Sequence, residues 1–205
     1  DMLDSMRMNP RPTRAEASDV ANAIYDGTDA VMLSGETAVG KYPVESVECM
    51  ARIALETETH LKECGISQGA RFIRASRGME DPITLAACTL AEEIEAAAIV
   101  TPTWSGHTAS LIARFRPWTR IVSVAPTEAV LRRMALVWGV HSVPMTRLSW
   151  GGDRLEGAVR DAFRAGKVQL GEQLIIIAGH PIESGPKYPT IRVVRVGTDG
   201  RSDEA

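Results

Sequence analysis

The chain has 205 residues, 44% of them hydrophobic, and 23 Lys and Arg against 26 Asp and Glu give a formal net charge of −3. That is enough for one medium domain, or for a small domain plus part of another. It excludes the basic runs of a nucleic-acid binder, and no window of about 20 apolar residues marks a membrane span. The opening DMLDSMRMNP lacks the basic-then-apolar order of a signal peptide. It enters a helical pattern at once, as expected of a chain cut from something longer. Cys49, Cys64 and Cys88 have neither disulfide-framework nor zinc spacing and are expected to be reduced packing residues.

Residues 2–8 carry a short helical pattern that stops at Asn9-Pro10-Arg11-Pro12, where two prolines force an extended or turning path. Thr13 reads as an N-cap, with Glu16 three residues on to complete a capping box. Val20, Ala21, Ile24 and Tyr25 make one apolar face, and Gly27 is a natural stop, so a helix is predicted over 14–26. Residues 29–33, DAVML, form a short apolar run of the kind buried on both sides in a parallel sheet. Tyr42-Pro43 opens a second helix over about 43–58, with Val44, Val47, Met50, Ala51 and Ala54 on its face. Helix, strand, helix is the rhythm of a β/α barrel, with about one and a half units present.

Residues 60–80 are polar and read as a linker with a connecting helix. A second rhythm follows: helix 81–96, strand 97–101, helix 108–115, strand 120–125, helix 127–138, strand 140–144, helix 153–165, and strands 173–178 and 191–196. This alternation predicts an open, mainly parallel sheet covered on both faces. Residues 179–190 have no helical pattern, which favours an antiparallel last strand at the sheet edge. Residues 198–205 read as a disordered tail.

Two segments could carry chemistry. Ser34-Gly35-Glu36-Thr37 follows an apolar run, where hydroxyls and a close-approaching backbone can hold phosphate or carboxylate oxygens; on the residues alone an ordinary strand-to-helix turn with local hydroxyl bonds is the favoured reading. Thr101-Pro102-Thr103-Trp104-Ser105-Gly106-His107-Thr108 lies between a strand and a helix start. There unpaired N–H groups favour an anion, and Thr103, Ser105 and Thr108 add hydroxyls. Helix capping by Ser105 or Thr108 is the alternative. Trp104 can stack on a base or ribose, or simply pack. Asp26, Asp29 and Glu36 form no obvious metal site. His60, His141 and His180 are expected at the surface or in packing, and Trp118, Trp138 and Trp150 as core or interface anchors.

NPRPTRAE, SDVANA, DGTDAVMLSGETA and GKYPVE occur in order over about fifty residues, and together they resemble the last strand–helix units of the pyruvate kinase catalytic barrel. AAIVTPTWSGHTASLIARFRP, ALVWGV and GEQLIIIAG resemble, more loosely, the C-terminal regulatory domain of that family. The resemblance implies an α/β chain with the end of a TIM barrel at 1–59, a linker at 60–80 and a three-layer α/β/α regulatory domain at 81–197. That domain is expected to hold a mostly parallel five-stranded sheet with its last strand antiparallel. The implied activity of the intact protein is transfer of a phosphoryl group from phosphoenolpyruvate to ADP in glycolysis, by a cytoplasmic homotetramer using Mg2+ and K+. Members carry Ala-Thr-Gln just before the MLDSM helix, with the threonine catalytic; here Asp1 stands at the glutamine position. The catalytic lysine and the metal ligands of the family precede this chain.

Ser34 and Gly35 are then the rim of an active site, no metal or cofactor is bound by this chain, and the chain alone is expected to be inactive. The Arg14 and Glu16 helix is implied to sit near a barrel-to-barrel subunit contact. Thr103, Trp104, Ser105, Gly106, His107 and Thr108 resemble the effector loop of the family, completed by Arg154 and by Ser184, Gly185 and Lys187 of a late loop. Trp104 and His107 replace basic residues of members regulated by fructose 1,6-bisphosphate, so a monophosphate such as AMP or ribose 5-phosphate fits better. The competing expectation is a stand-alone, non-enzymatic module that binds phosphorylated effectors or other proteins.

Overall fold

A computed structural model describes residues 2–66, 80–146, 154–178 and 190–204. The chain divides into two compact units, Asp1–Gln68 and Gly69–Ala205.

The first unit is helical. A 3-10 helix, Asp4–Arg7, leads to α1, Arg14–Tyr25. The expected capping box is present: the Thr13 hydroxyl accepts from the Glu16 N–H, and the Glu16 carboxylate accepts from the Thr13 N–H. α1 ends where Gly27 takes φ +84, with the Gly27 N–H on Ile24 O and the Thr28 N–H on Ala23 O, the paired carbonyl capping that a left-handed glycine permits. A single turn, α2, spans Gly35–Ala38, and α3 runs from Pro43 to Glu63, beyond the expected end and into the stretch read as linker. Leu3, Met6, Val20 and Met50 form the small core.

Two expectations fail in this unit. Residues 29–33 form no strand: among the described residues the unit holds no other strand whose N–H and C=O groups could complete a ladder. Val31 and Leu33 pack on the core while Met32 is 69% exposed. The buried face of α3 is Ser46, Met50, Thr57 and Leu61, whereas Val44 and Val47 lie exposed. Ser46 and Thr57 donate to Tyr42 O and Ile53 O, each at 2.7 Å. Bonded to the preceding turn, the two hydroxyls enter the interior without an unmet donor.

The second unit has three layers. Strands β1 (Ala98–Pro102), β2 (Ile121–Ala125), β3 (Val140–Pro144), β4 (Gln173–Ala178), β5 (Thr190–Val196) and β6 (Ser202–Glu204) form one sheet in the order β3-β2-β1-β4-β5-β6. β1 to β4 are parallel, and β5 is antiparallel to β4 as expected. Helices α4 (Glu80–Glu93), α5 (His107–Arg114) and α6 (Glu128–Met134) cover one face, and α7 (Arg154–Arg164) covers the other. Arg114 ties α5 to Asp81 of α4 at 2.7 Å. β2 is buried along its whole length, the burial that a strand covered on both faces requires. Burial, aided by the Glu92 charge, pushes the Cys88 thiol up to about 12, so Cys88 is a packing residue; Cys49 is half-buried and Cys64 exposed.

The tail is not disordered as expected. A 3-10 turn, Thr198–Gly200, leads into β6, which pairs with β5 and adds a sixth strand. Without it β5 would present an open edge of unpaired backbone groups.

Candidate functional sites

In the first unit, Ser34 precedes α2 with an exposed side chain and makes no side-chain cap. Beside it Glu36 is fully buried. Its Oε1 accepts from the Leu3 N–H and its Oε2 from the Ser34 N–H, both at 2.9 Å. Burial works to raise the Glu36 carboxyl, but N–H donors from Glu36, Ser34 and Leu3 outweigh it and hold the group below the usual carboxylate range. Arg7 lies across Gly35: a Cβ there would stand 3.1 Å from its Cδ and Nε. Nothing in the sequence pattern marked Arg7 or the clamp by Glu36, because both are contacts between segments about thirty residues apart. Asp26 and Asp29 are exposed, and among the described residues no group of three or more His, Cys, Asp or Glu could hold a metal ion.

In the second unit, the loop after β1 is built around Thr103 and Gly106. Thr103 is buried, and its hydroxyl accepts from the Gly106 N–H at 2.9 Å. Gly106 adopts φ +81 as the N-cap of α5, where a Cβ would meet Met134 Cε at 2.4 Å; the close approach and the left-handed backbone both require glycine. No side chain caps α5 at this position, and the Ser105 hydroxyl reaches the His107 N–H only at 3.4 Å. The hydroxyl of Ser105, the His107 ring and Trp104, 42% exposed, therefore face outward, above first-turn N–H groups that lack intrahelical acceptors. Thr108 is half-buried in the first turn. Arg133 of α6 donates to the Ser105 carbonyl and brings a guanidinium to the loop. The pattern did not single it out, although α6 starts at the same sheet edge. Below the loop the Thr101 hydroxyl is buried without a hydrogen-bond partner, in register with Ser123, whose hydroxyl bonds to Ser142 at 2.6 Å.

The parallel strands bring α5, α6 and α7 to begin at one edge of the sheet. β1 and β4 are neighbours there, and the strand order reverses between them, which makes the crevice outside their carboxyl ends the place where open α/β sheets take ligands. Residues 103–108 follow β1. Ser184, Gly185 and Lys187, which follow β4 in the chain, lie outside the described residues, as do His180 and Trp150. Arg154 is the first residue of α7. The approach to α7 is anchored by buried Asp161, which accepts from the Thr146 N–H and hydroxyl, both at 2.8 Å. Arg116 sits 4.9 Å from the Trp138 ring, and His60 packs edge-on to Tyr25 at 6.4 Å, whereas Trp118 is 37% exposed.

A helical unit followed by a three-layer α/β/α unit, with the loop of residues 103–108 at the switch point of the sheet, defines an α/β chain. The pyruvate kinase alpha/beta domain matches residues 81–194, and the pyruvate kinase barrel domain matches residues 1–47. The chain belongs to the pyruvate kinase family. It is 50% identical over 181 residues to the pyruvate kinase of Geobacillus stearothermophilus, covering 88% of this chain and 31% of that protein. Over 184 residues it is 48% identical to the enzyme of Bacillus licheniformis, covering 90% and 31%. With the Clostridium acetobutylicum enzyme it shares 44% over 185 residues, covering 88% and 38%. The chain thus spans about a third of the length of these relatives.

Proposed function

We propose that the intact protein is a cytoplasmic, homotetrameric pyruvate kinase that moves a phosphoryl group from phosphoenolpyruvate to ADP. In it residues 1–59 would close the catalytic barrel and residues 81–197 form the regulatory domain. The observation that carries this reading is that both units match one family in its chain order, barrel part then α/β part; a free-standing module has no use for the first. In this reading Ser34 and Gly35 contribute only the rim of the active site. The reaction needs cations to offset phosphate charge, and Mg2+ and K+ would supply them. The described residues offer no ligand set for them: no group of three or more His, Cys, Asp or Glu could hold a metal ion, and Glu36 spends both oxygens on backbone N–H groups. No step is therefore derived through them. A coupled lactate dehydrogenase assay on the 205-residue chain is expected to give no turnover; rates near those of a complete enzyme would overturn the assignment of catalysis to segments outside it.

The second unit, in the same reading, binds a phosphorylated effector at Thr103 to Thr108, with Arg154, Ser184, Gly185 and Lys187 around the phosphate. Supporting this are the absence of any side-chain cap at Gly106, the exposed Ser105 hydroxyl and the position at the switch point. Among AMP, ribose 5-phosphate and fructose 1,6-bisphosphate, calorimetry is expected to show a monophosphate bound and to show that binding weakened roughly tenfold or more in Arg154→Ala, the effect of losing a charge-assisted hydrogen bond. Equal binding by the variant would remove Arg154 from the pocket, and binding of none of the three would leave the loop a structural turn.

A further inference from the structure

A cavity of about 360 Å³ lies between the second half of α7 and the turn after β5, lined by Arg160, Phe163, Arg164, Asp199 and Arg201. α7 starts at the carboxyl edge of the parallel strands and runs back across the sheet, and β5 ends beside the start of β4. The cavity is therefore at the opposite edge of the sheet from Thr103 to Thr108.

Three arginines line it, in a chain whose formal net charge is −3. Arg160 is engaged by Glu156 of its own helix at 3.1 Å. Among the described residues, the side chains of Arg164 and Arg201 have neither a hydrogen bond nor an ion pair. Among the described residues that line the cavity, Asp199 is the one carboxylate against three arginines. The arrangement is built into the backbone. Gly200 adopts φ +70, and a Cβ there would stand 3.0 Å from Phe163 Cβ and 3.1 Å from Arg160 Cα. With no side chain in between, the turn rests on α7 itself, and the Gly197 N–H to Arg201 O bond of 2.7 Å closes it. Arg201 is thereby delivered beside Arg160 and Arg164, 41 and 37 residues earlier in the chain.

We propose that this cavity binds a phosphate monoester. The planar forks of Arg164 and Arg201 match phosphate oxygens with paired, charge-assisted hydrogen bonds, and Phe163 offers a ring face to the organic part. The site is separate from the effector loop, and its test removes that loop first. In a chain carrying Thr103→Val and Ser105→Ala, calorimetry at constant ionic strength is expected to show inorganic phosphate binding and phenyl phosphate binding more tightly. Adding Arg164→Gln and Arg201→Gln should weaken both roughly tenfold or more. No binding in the loop-disabled chain, or binding unchanged by the two arginine substitutions, overturns the proposal. Should the combined variant not fold by circular dichroism, NMR of the Arg Nε–Hε groups in the unmodified chain decides, with assignments from the single variants. Phosphate must then move the signals of both Arg164 and Arg201, and unmoved signals overturn the site.

Discussion

Glu16 joins two segments of the first unit. Its Oε1 accepts from the Ser5 N–H, and its Oε2 accepts from the Ser5 hydroxyl and from the Thr13 N–H and hydroxyl. Burial works to raise its carboxyl, but these donors from Ser5 and Thr13 prevail and hold it down from 4.5 to about 2. A carboxyl depressed in the folded state gives stability that is complete above its unfolded value and is lost as pH falls through the folded one. The first unit should therefore lose stability as pH drops from about 4.5 towards about 2. Glu16→Gln should cost about 1–2 kcal/mol near neutrality, the range for a capping and charge-assisted hydrogen-bond loss. Its difference from the parent in urea midpoint, followed by circular dichroism, should shrink across that acid window; parallel curves would remove Glu16 as the titrating group. The Thr13–Glu16 half of this arrangement was legible from a three-residue spacing. The Ser5 half was not, because spacing says nothing of where a side chain goes once it leaves its own helix. The same holds for Glu36, for Arg7 and for Arg133.

β2 and β4 of the second unit were legible because burial on both faces left a largely apolar run, whereas in β3 Val143 alone is buried. The bounds of β3 and β4 agree with the sequence expectation residue for residue, and β5 begins one residue earlier than expected. In the first unit the same rule misled. DAVML is apolar enough for a buried strand, but a strand is a relation between two segments, and the described part of that unit offers no second one. α3 misled in another way: hydrophobicity alone chose the face with Val44 and Val47, while the packed face carries Ser46 and Thr57. A hydroxyl bonded to the carbonyl four residues back is a buriable group, and an apolar pattern cannot register it. β6 was missed because a three-residue strand beside charged side chains has no periodicity to read. The candidate loop was visible as hydroxyls between a strand and a helix, whereas the cavity on α7 was not, since it is assembled from residues 160–164 and 199–201 by the docking of Gly200.

At the scale of the whole chain, the two units differ in how much interior each has. Among the described residues, the buried hydrophobic side chains of Asp1–Gln68 are Leu3, Met6, Val20, Met50 and Leu61, while Met8, Met32, Val39, Val44, Val47, Leu55 and Ile66 are exposed. A domain of about 60 residues buries only about 60% of its unfolded surface and is marginal even with a full core. The second unit packs both faces of a six-stranded sheet. Unfolding in urea should therefore proceed in two steps, the first unit melting first. The chain carries its own reporters: Trp104, Trp118, Trp138 and Trp150 all belong to the second unit, and Tyr25 and Tyr42 to the first. Tryptophan fluorescence should change only in the later step, far-UV circular dichroism in both, and Glu16→Gln should move the earlier midpoint alone. If fluorescence and circular dichroism instead trace one coincident transition, the two cores melt as one cooperative unit, and the low-pH loss assigned to Glu16 should then appear in the tryptophan signal as well.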